Sequence, residues 1–142
     1  MPSILHQITI QASSDRVFDL LATADGLRCW WTGDTVAEPV EGSIAEFGFN
    51  DRQTVFRMRV DELVPGRRVK WSCLGDNDEW EGTELEWQLT PLDGGRVELR
   101  FAHRDWRSLA GAYAVCNTTW GALLYRLKDC AEGAASGPLF TG

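Results

Sequence analysis

The sequence predicts an α+β fold in a single domain: one strand, two short helices, six further antiparallel strands and a long C-terminal helix. Three observations carry this reading. Between residues 35 and 103, runs in which apolar and polar residues alternate recur, as half-buried strands require. The breaks between those runs are short, which suits antiparallel neighbours, because parallel strands need a long crossover. Near residue 108 the apolar spacing changes from two to that of a helix.

Each element has its own signal. Ile4, His6, Ile8 and Ile10 alternate with Leu5, Gln7, Thr9 and Gln11, which predicts a first strand with His6 on its inner face. Ser13 and Ser14 offer N-caps, Asp15 suits a helix N-terminus, and Val17, Phe18, Leu21 and Ala24 form an apolar stripe. A helix is therefore expected near residues 14–22. Asp25-Gly26 reads as a break, after which Leu27-Arg28-Cys29-Trp30-Trp31 resumes as a second short helix.

The turns expected among the six later strands are Glu41-Gly42, Asn50-Asp51, Pro65-Gly66, an acidic loop over residues 76–82, and Asp93-Gly94-Gly95. One inner face follows from the alternation: Phe56, Met58, Val60; Val69, Trp71, Cys73; Leu85, Trp87, Leu89; Val97, Leu99, Phe101. Arg57, Arg59, Lys70, Glu84, Glu86, Glu98 and Arg100 are assigned to water. A helix over residues 108–132 is predicted from Leu109, Tyr113, Cys116, Trp120, Leu123, Leu124 and Leu127; Gly111 and Gly121 within it call for a bend or a close backbone contact. Residues 1–132 form the domain, and residues 133–142, rich in small side chains, read as a flexible tail.

Composition narrows the function. Among 142 residues, 21 are acidic and 14 basic, a net charge of −7 that disfavours nucleic acid and anionic membrane surfaces as partners. No run reaches the length of a membrane span and no signal-peptide pattern opens the chain, so a cytoplasmic protein is expected. Cys29, Cys73, Cys116 and Cys130 show no CxxC spacing, which predicts reduced, mostly buried thiols and neither a zinc site nor a redox motif. The loop Asp76-Asn77-Asp78-Glu79-Trp80-Glu81-Gly82 lacks the glycine of a calcium loop and reads as a solvated acidic turn. Trp80 is either exposed there or packed over a cavity mouth.

Ile10-Gln11-Ala12-Ser13, then Val17-Phe18 with Leu21, then Leu27 with Trp30-Trp31 resemble the opening of the SRPBCC superfamily, and the element order is that of its helix-grip fold. Glu62-Leu63-Val64-Pro65-Gly66-Arg67-Arg68-Val69-Lys70-Trp71, with Trp120, Leu123, Leu124 and Leu127, resembles the branch related to activators of the heat-shock-protein-90 ATPase. Val40-Glu41-Gly42-Ser43 and Thr119-Trp120-Gly121 depart from the branch's usual Arg-x-Gly-Gly-like turn and Gly-Trp pair. The resemblance implies a curved sheet wrapped around the last helix, with a cavity between them that holds apolar ligands in many members and supports cyclisation or hydrolysis in a few.

Trp30, Trp31, Phe56, Met58, Trp71, Trp87, Phe101, Tyr113 and Trp120 are the expected cavity lining, because a concave sheet fills its hollow only with large side chains; ordinary core packing is the alternative for each. His6 and His103 share the inward parity. If the first and last strands pair antiparallel, as the resemblance implies, they become neighbours and either form an acid/base pair or stay inert at the rim. Asn117 would hold a ligand's polar end or be satisfied by backbone. Asp105 and Cys116 are the nearest third ligands for a metal, but the spacing matches no metal site, and no hydrolase or nucleotide motif is present. The expected function is binding of a small apolar or aromatic molecule without a cofactor. The alternatives are a co-chaperone-like interaction module and, last, an enzyme using His6 and His103. A homodimer through sheet edges or Trp-rich hairpins is a further expectation.

Overall fold

A computed structural model describes residues 2–134 and 137–142. Strand β1 (Ile4–Ile10) leads into helices α1 (Ser14–Ala22) and α2 (Ala24–Trp30). Six strands follow: β2 (Asp34–Val36), β3 (Ile44–Phe49), β4 (Thr54–Val64), β5 (Arg68–Cys73), β6 (Glu84–Leu92) and β7 (Arg96–Arg104). Helix α3 (Tyr113–Glu132) closes the domain. The seven strands form one antiparallel sheet in the order β1-β7-β6-β5-β4-β3-β2, so the first strand pairs with the last and β1 and β2 are the edges.

The sheet's inner face is the one the alternation assigns: Met58, Val60, Val69, Trp71, Leu85, Trp87, Leu99 and Phe101 are all buried. A bulge between Val60 and Glu62 shifts the register of β4 against β5. Glu86 departs from the assignment to water. It is buried on the outer face because Arg104 (2.6 Å) and Arg68 (3.6 Å) close over its carboxylate.

The break between the short helices falls at Thr23 and not at Asp25-Gly26. Thr23 ends α1 and its Oγ1 accepts from the Gly26 amide (3.0 Å), while Asp25 sits in the first turn of α2, where a negative charge suits the helix dipole. Gly26 packs directly on the α1 backbone, where any β carbon would meet Asp19 O and Leu20 Cα.

Helix α3 starts at Tyr113, five residues later than the periodicity suggests. Gly111 has φ +70°, which stops helical propagation upstream, and the Ala112 amide is taken by Glu79 Oε1 (2.9 Å). Glu79 therefore belongs to the fold, as does Asp76, whose carboxylate binds the Arg57 amide and guanidinium; the acidic loop is only partly solvated. Gly121 lies within α3 with His6 Cε1 at ordinary contact from its β position (3.7 Å).

Two expectations from the sequence change here. Cys29 and Cys130 form a disulfide joining α2 to α3, with Cα atoms 6.4 Å apart; a pair separated by 101 residues has no spacing signature. Cys73 and Cys116 are free. The described part of the expected tail, residues 137–142, runs beside the end of α2: the Leu139 and Phe140 amides donate to Trp30 O (3.2 Å) and Trp31 O (2.9 Å), and Gly33 N donates to Phe140 O (3.0 Å). Residues 135 and 136 of that stretch lie outside the described residues.

Candidate functional site

A cavity of about 470 Å³ opens between β3–β4, α3 and residues 139–142. Trp31, Phe49, Phe56 and Phe140 form its walls with Trp80 and Trp120, and Cys116, Thr119 and Leu123 project from one side of α3. Asn50, Thr54 and Thr141 are the other side chains with polar atoms. No side chain of the lining carries a formal charge at neutral pH, and burial holds the Cys116 thiol above its ordinary range.

The walls are ordered by aromatic contacts. Trp31 stacks on Phe47 (4.2 Å between ring centroids) and meets Trp120 at 5.2 Å. Trp80 is buried, stacks on Phe56 (4.5 Å) and stands edge-on to His103 (4.8 Å), so of its two sequence readings the cavity one matches its place. Phe49 stands edge-on to Phe140 (5.2 Å). Rings held by several neighbours lose little further freedom when a flat ligand arrives, which favours binding.

Of the residues expected to line the cavity, Trp31, Phe56 and Trp120 do so. Trp30, Met58, Trp71, Trp87 and Phe101 are fully buried and fill the deeper part of the grip as core. The Trp30 indole donates to Leu20 O (2.8 Å), and Trp87 stands edge-on to Trp30, Trp71 and Trp120. Tyr113 is away from the cavity, its hydroxyl donating to Ser3 O (2.7 Å).

The polar candidates are also outside the cavity. In the β1–β7 register His103 faces Ile4 and His6 faces Phe101, so the two imidazoles are offset and not paired. His6 Nε2 lies 3.3 Å from the Asn117 backbone oxygen, which makes Asn117 a carbonyl partner of His6. His103 is wholly buried. Its Nδ1 accepts from Trp120 Nε1 (3.2 Å), and its Nε2 lies 2.8 Å from Thr83 Oγ1, which itself donates to Trp80 O (2.6 Å). This chain fixes a neutral imidazole that donates from Nε2, and burial pushes its pKa down to about 3. With both nitrogens committed, His103 has no position from which to exchange a proton with a ligand. Among the described residues no three His, Cys, Asp or Glu side chains converge to hold a metal, Asp105 and Cys116 included.

The sequence reading missed Phe49, Asn50, Thr54, Thr119, Leu139, Phe140 and Thr141 as lining residues. Phe49 and Thr119 carried a signal, since Phe49 has the strand parity of Phe47 and Thr119 lies one turn before Leu123. Leu139 and Phe140 carried none, being an isolated apolar pair among small residues.

A curved antiparallel sheet gripping a long helix, with an aromatic-walled cavity between them, defines a protein of the helix-grip class. Within that class the chain belongs to the Activator of Hsp90 ATPase homolog 1-like family, whose model matches residues 11–132. It is similar to the Aha1 dimer from Colwellia psychrerythraea at 36% identity, with a TM-score of 0.86 over 94% of this chain and 98% of that one. A protein from Mesorhizobium loti (15% identity, TM-score 0.79, 90% and 95% covered) and the AHSA1-like protein from Aeromonas hydrophila (16%, 0.69, 92% and 93%) share the fold. No curated protein matches the chain. No helix among the described residues is long and apolar enough to cross a membrane.

Proposed function

We propose that this protein binds a small, neutral, aromatic molecule in the cavity between β3–β4 and α3. The observation that carries the reading is the cavity itself: about 470 Å³, within the size range of small-molecule sites, with aromatic walls and no charged side chain in its lining. A neutral ligand is favoured because an anion would leave water without gaining a cation to pair with. Hydroxyls of Thr54, Thr119 and Thr141 and the Asn50 amide are the lining groups that would orient a ligand's polar substituent.

The test uses a matched pair of probes, N-phenyl-1-naphthylamine and its sulfonated counterpart 1-anilinonaphthalene-8-sulfonate. The expected result is saturable binding of the neutral probe with quenching of tryptophan emission, weaker binding of the sulfonate, and loss of at least about tenfold in affinity for Thr119→Trp, which fills the cavity. Absence of saturable binding, or binding untouched by Thr119→Trp, would overturn the reading.

A second reading, self-association, is supported by the relative of 36% identity described as a dimer. A chaperone contact draws support only from the family description.

A further inference from the structure

We infer that a second copy of the chain docks on the outer face of α3 and the adjoining edge of β1, an inference that rests on the self-association reading and names its surface. Three of the four most exposed large apolar side chains lie on or just before α3, Leu109 (65%) before it and Val115 (68%) and Tyr125 (64%) on it; the fourth, Leu5 (69%), stands at the β1 edge on the opposite, outer face of the sheet, beside Ala102 and Arg100. From Tyr113 to Tyr125 the helix has no charged residue, although its solvent side, at Ala114, Val115, Thr118, Ala122 and Tyr125, is exposed. A helix face turned to water is ordinarily polar or charged. At roughly 1.5 Å per residue this uncharged face is about 20 Å long.

Strand β1 extends it. Residues 4–10 contain no Lys, Arg, Asp, Glu or Pro, and β1 pairs only with β7, so its other side is a strand edge whose own side chains carry no charge, with Lys128 reaching it at Thr9 O near its end. Helix and edge are held together by Tyr113 to Ser3 O (2.7 Å), His6 to Asn117 O (3.3 Å) and Lys128 to Thr9 O (2.7 Å). The combined surface matters because a stable pair buries about 800 Å² on each partner, more than one helix face supplies.

Charge selects the occupant. Each chain carries −7, so two copies repel over most of their surface, and the face without charges is where they approach at least cost. A basic partner would instead be drawn to the acidic surface elsewhere.

Light scattering across a concentration series tests both readings separately. The wild type should be dimeric, Val115→Asp and Tyr125→Glu should each weaken association at least about tenfold, and Val40→Asp, also exposed but on the β2–β3 loop, should leave it unchanged. Because Val115 and Tyr125 are exposed, both variants should keep the wild-type circular dichroism. A wild type that stays monomeric would overturn self-association. A dimer that survives both α3 substitutions, or is broken by Val40→Asp, would overturn this surface and leave self-association standing.

Discussion

His103 illustrates how a side chain with catalytic credentials becomes structural. Its inward parity is legible in the strand pattern, but the Trp120 and Thr83 bonds that consume both nitrogens depend on a contact between β7, the end of the β5–β6 loop and α3 that no local pattern encodes. The bonds have a thermodynamic consequence. The folded imidazole titrates near pH 3 and the unfolded one near 6.5, so the unfolded chain binds the extra proton between those values. Stability from this residue is complete above pH 6.5 and declines as pH falls toward 3, by up to about 1.4 kcal/mol per pH unit. Between pH 6.5 and 5 the carboxylates with lowered values, Asp76, Glu86 and Glu132, stay largely ionised in both states and add only a small loss near pH 5 that His103→Gln retains. Urea unfolding at pH 7 and pH 5 should show the loss in wild type and much less of it in His103→Gln; equal slopes in the two proteins would show that His103 is not the group responsible.

At the scale of elements, the strands, both ends of α1 and the end of α3 were readable, and the start of α3 was not. Alternation identifies the inner face because each strand repeats the signal on its own, whereas the start of α3 is decided by Glu79, a residue on the β5–β6 loop. Glu79 fills the place of a cap that Ala112 lacks, and Gly111 leaves room for it: a β carbon there would clash with Glu79 Oε1, in a backbone conformation that already disfavours one. Glu79→Ala should therefore cost about 1 kcal/mol, as loss of a helix cap does, and Gly111→Ala about 1–3 kcal/mol. In the double variant the steric part of the glycine cost should disappear, leaving only the backbone strain. Denaturant midpoints for the four proteins of this cycle check it, and strict additivity would mean that the two residues do not meet.

For the whole molecule, the cavity is assembled from segments at opposite ends of the sequence. That is why only Trp31, Phe56 and Trp120 of the expected lining are found in it: the sequence shows which residues face inward, but the depth at which the grip stops being filled is set by how far α3 sits from the sheet and where residues 139–142 return. The Cys29–Cys130 disulfide acts on that spacing, since Cys29 immediately precedes Trp30 and Trp31, whose carbonyls hold Leu139 and Phe140. A link across 101 residues restrains the unfolded chain strongly, so reduction should lower stability by about 3–5 kcal/mol. Thiol titration in denaturant without reductant should count two groups, Cys73 and Cys116, and four after reduction. Burial pushes the Cys73 thiol up to about 12, which keeps it unreactive until the chain unfolds and makes its labelling a reporter of that event. Cys29→Ser with Cys130→Ser should reproduce the reduced protein's unfolding midpoint and weaken the neutral probe, because α2 and the returning segment are then free to move from α3. A count of four thiols before reduction would refute the link, and a midpoint indifferent to reductant would show that packing of α2 on α3 holds the cavity without it.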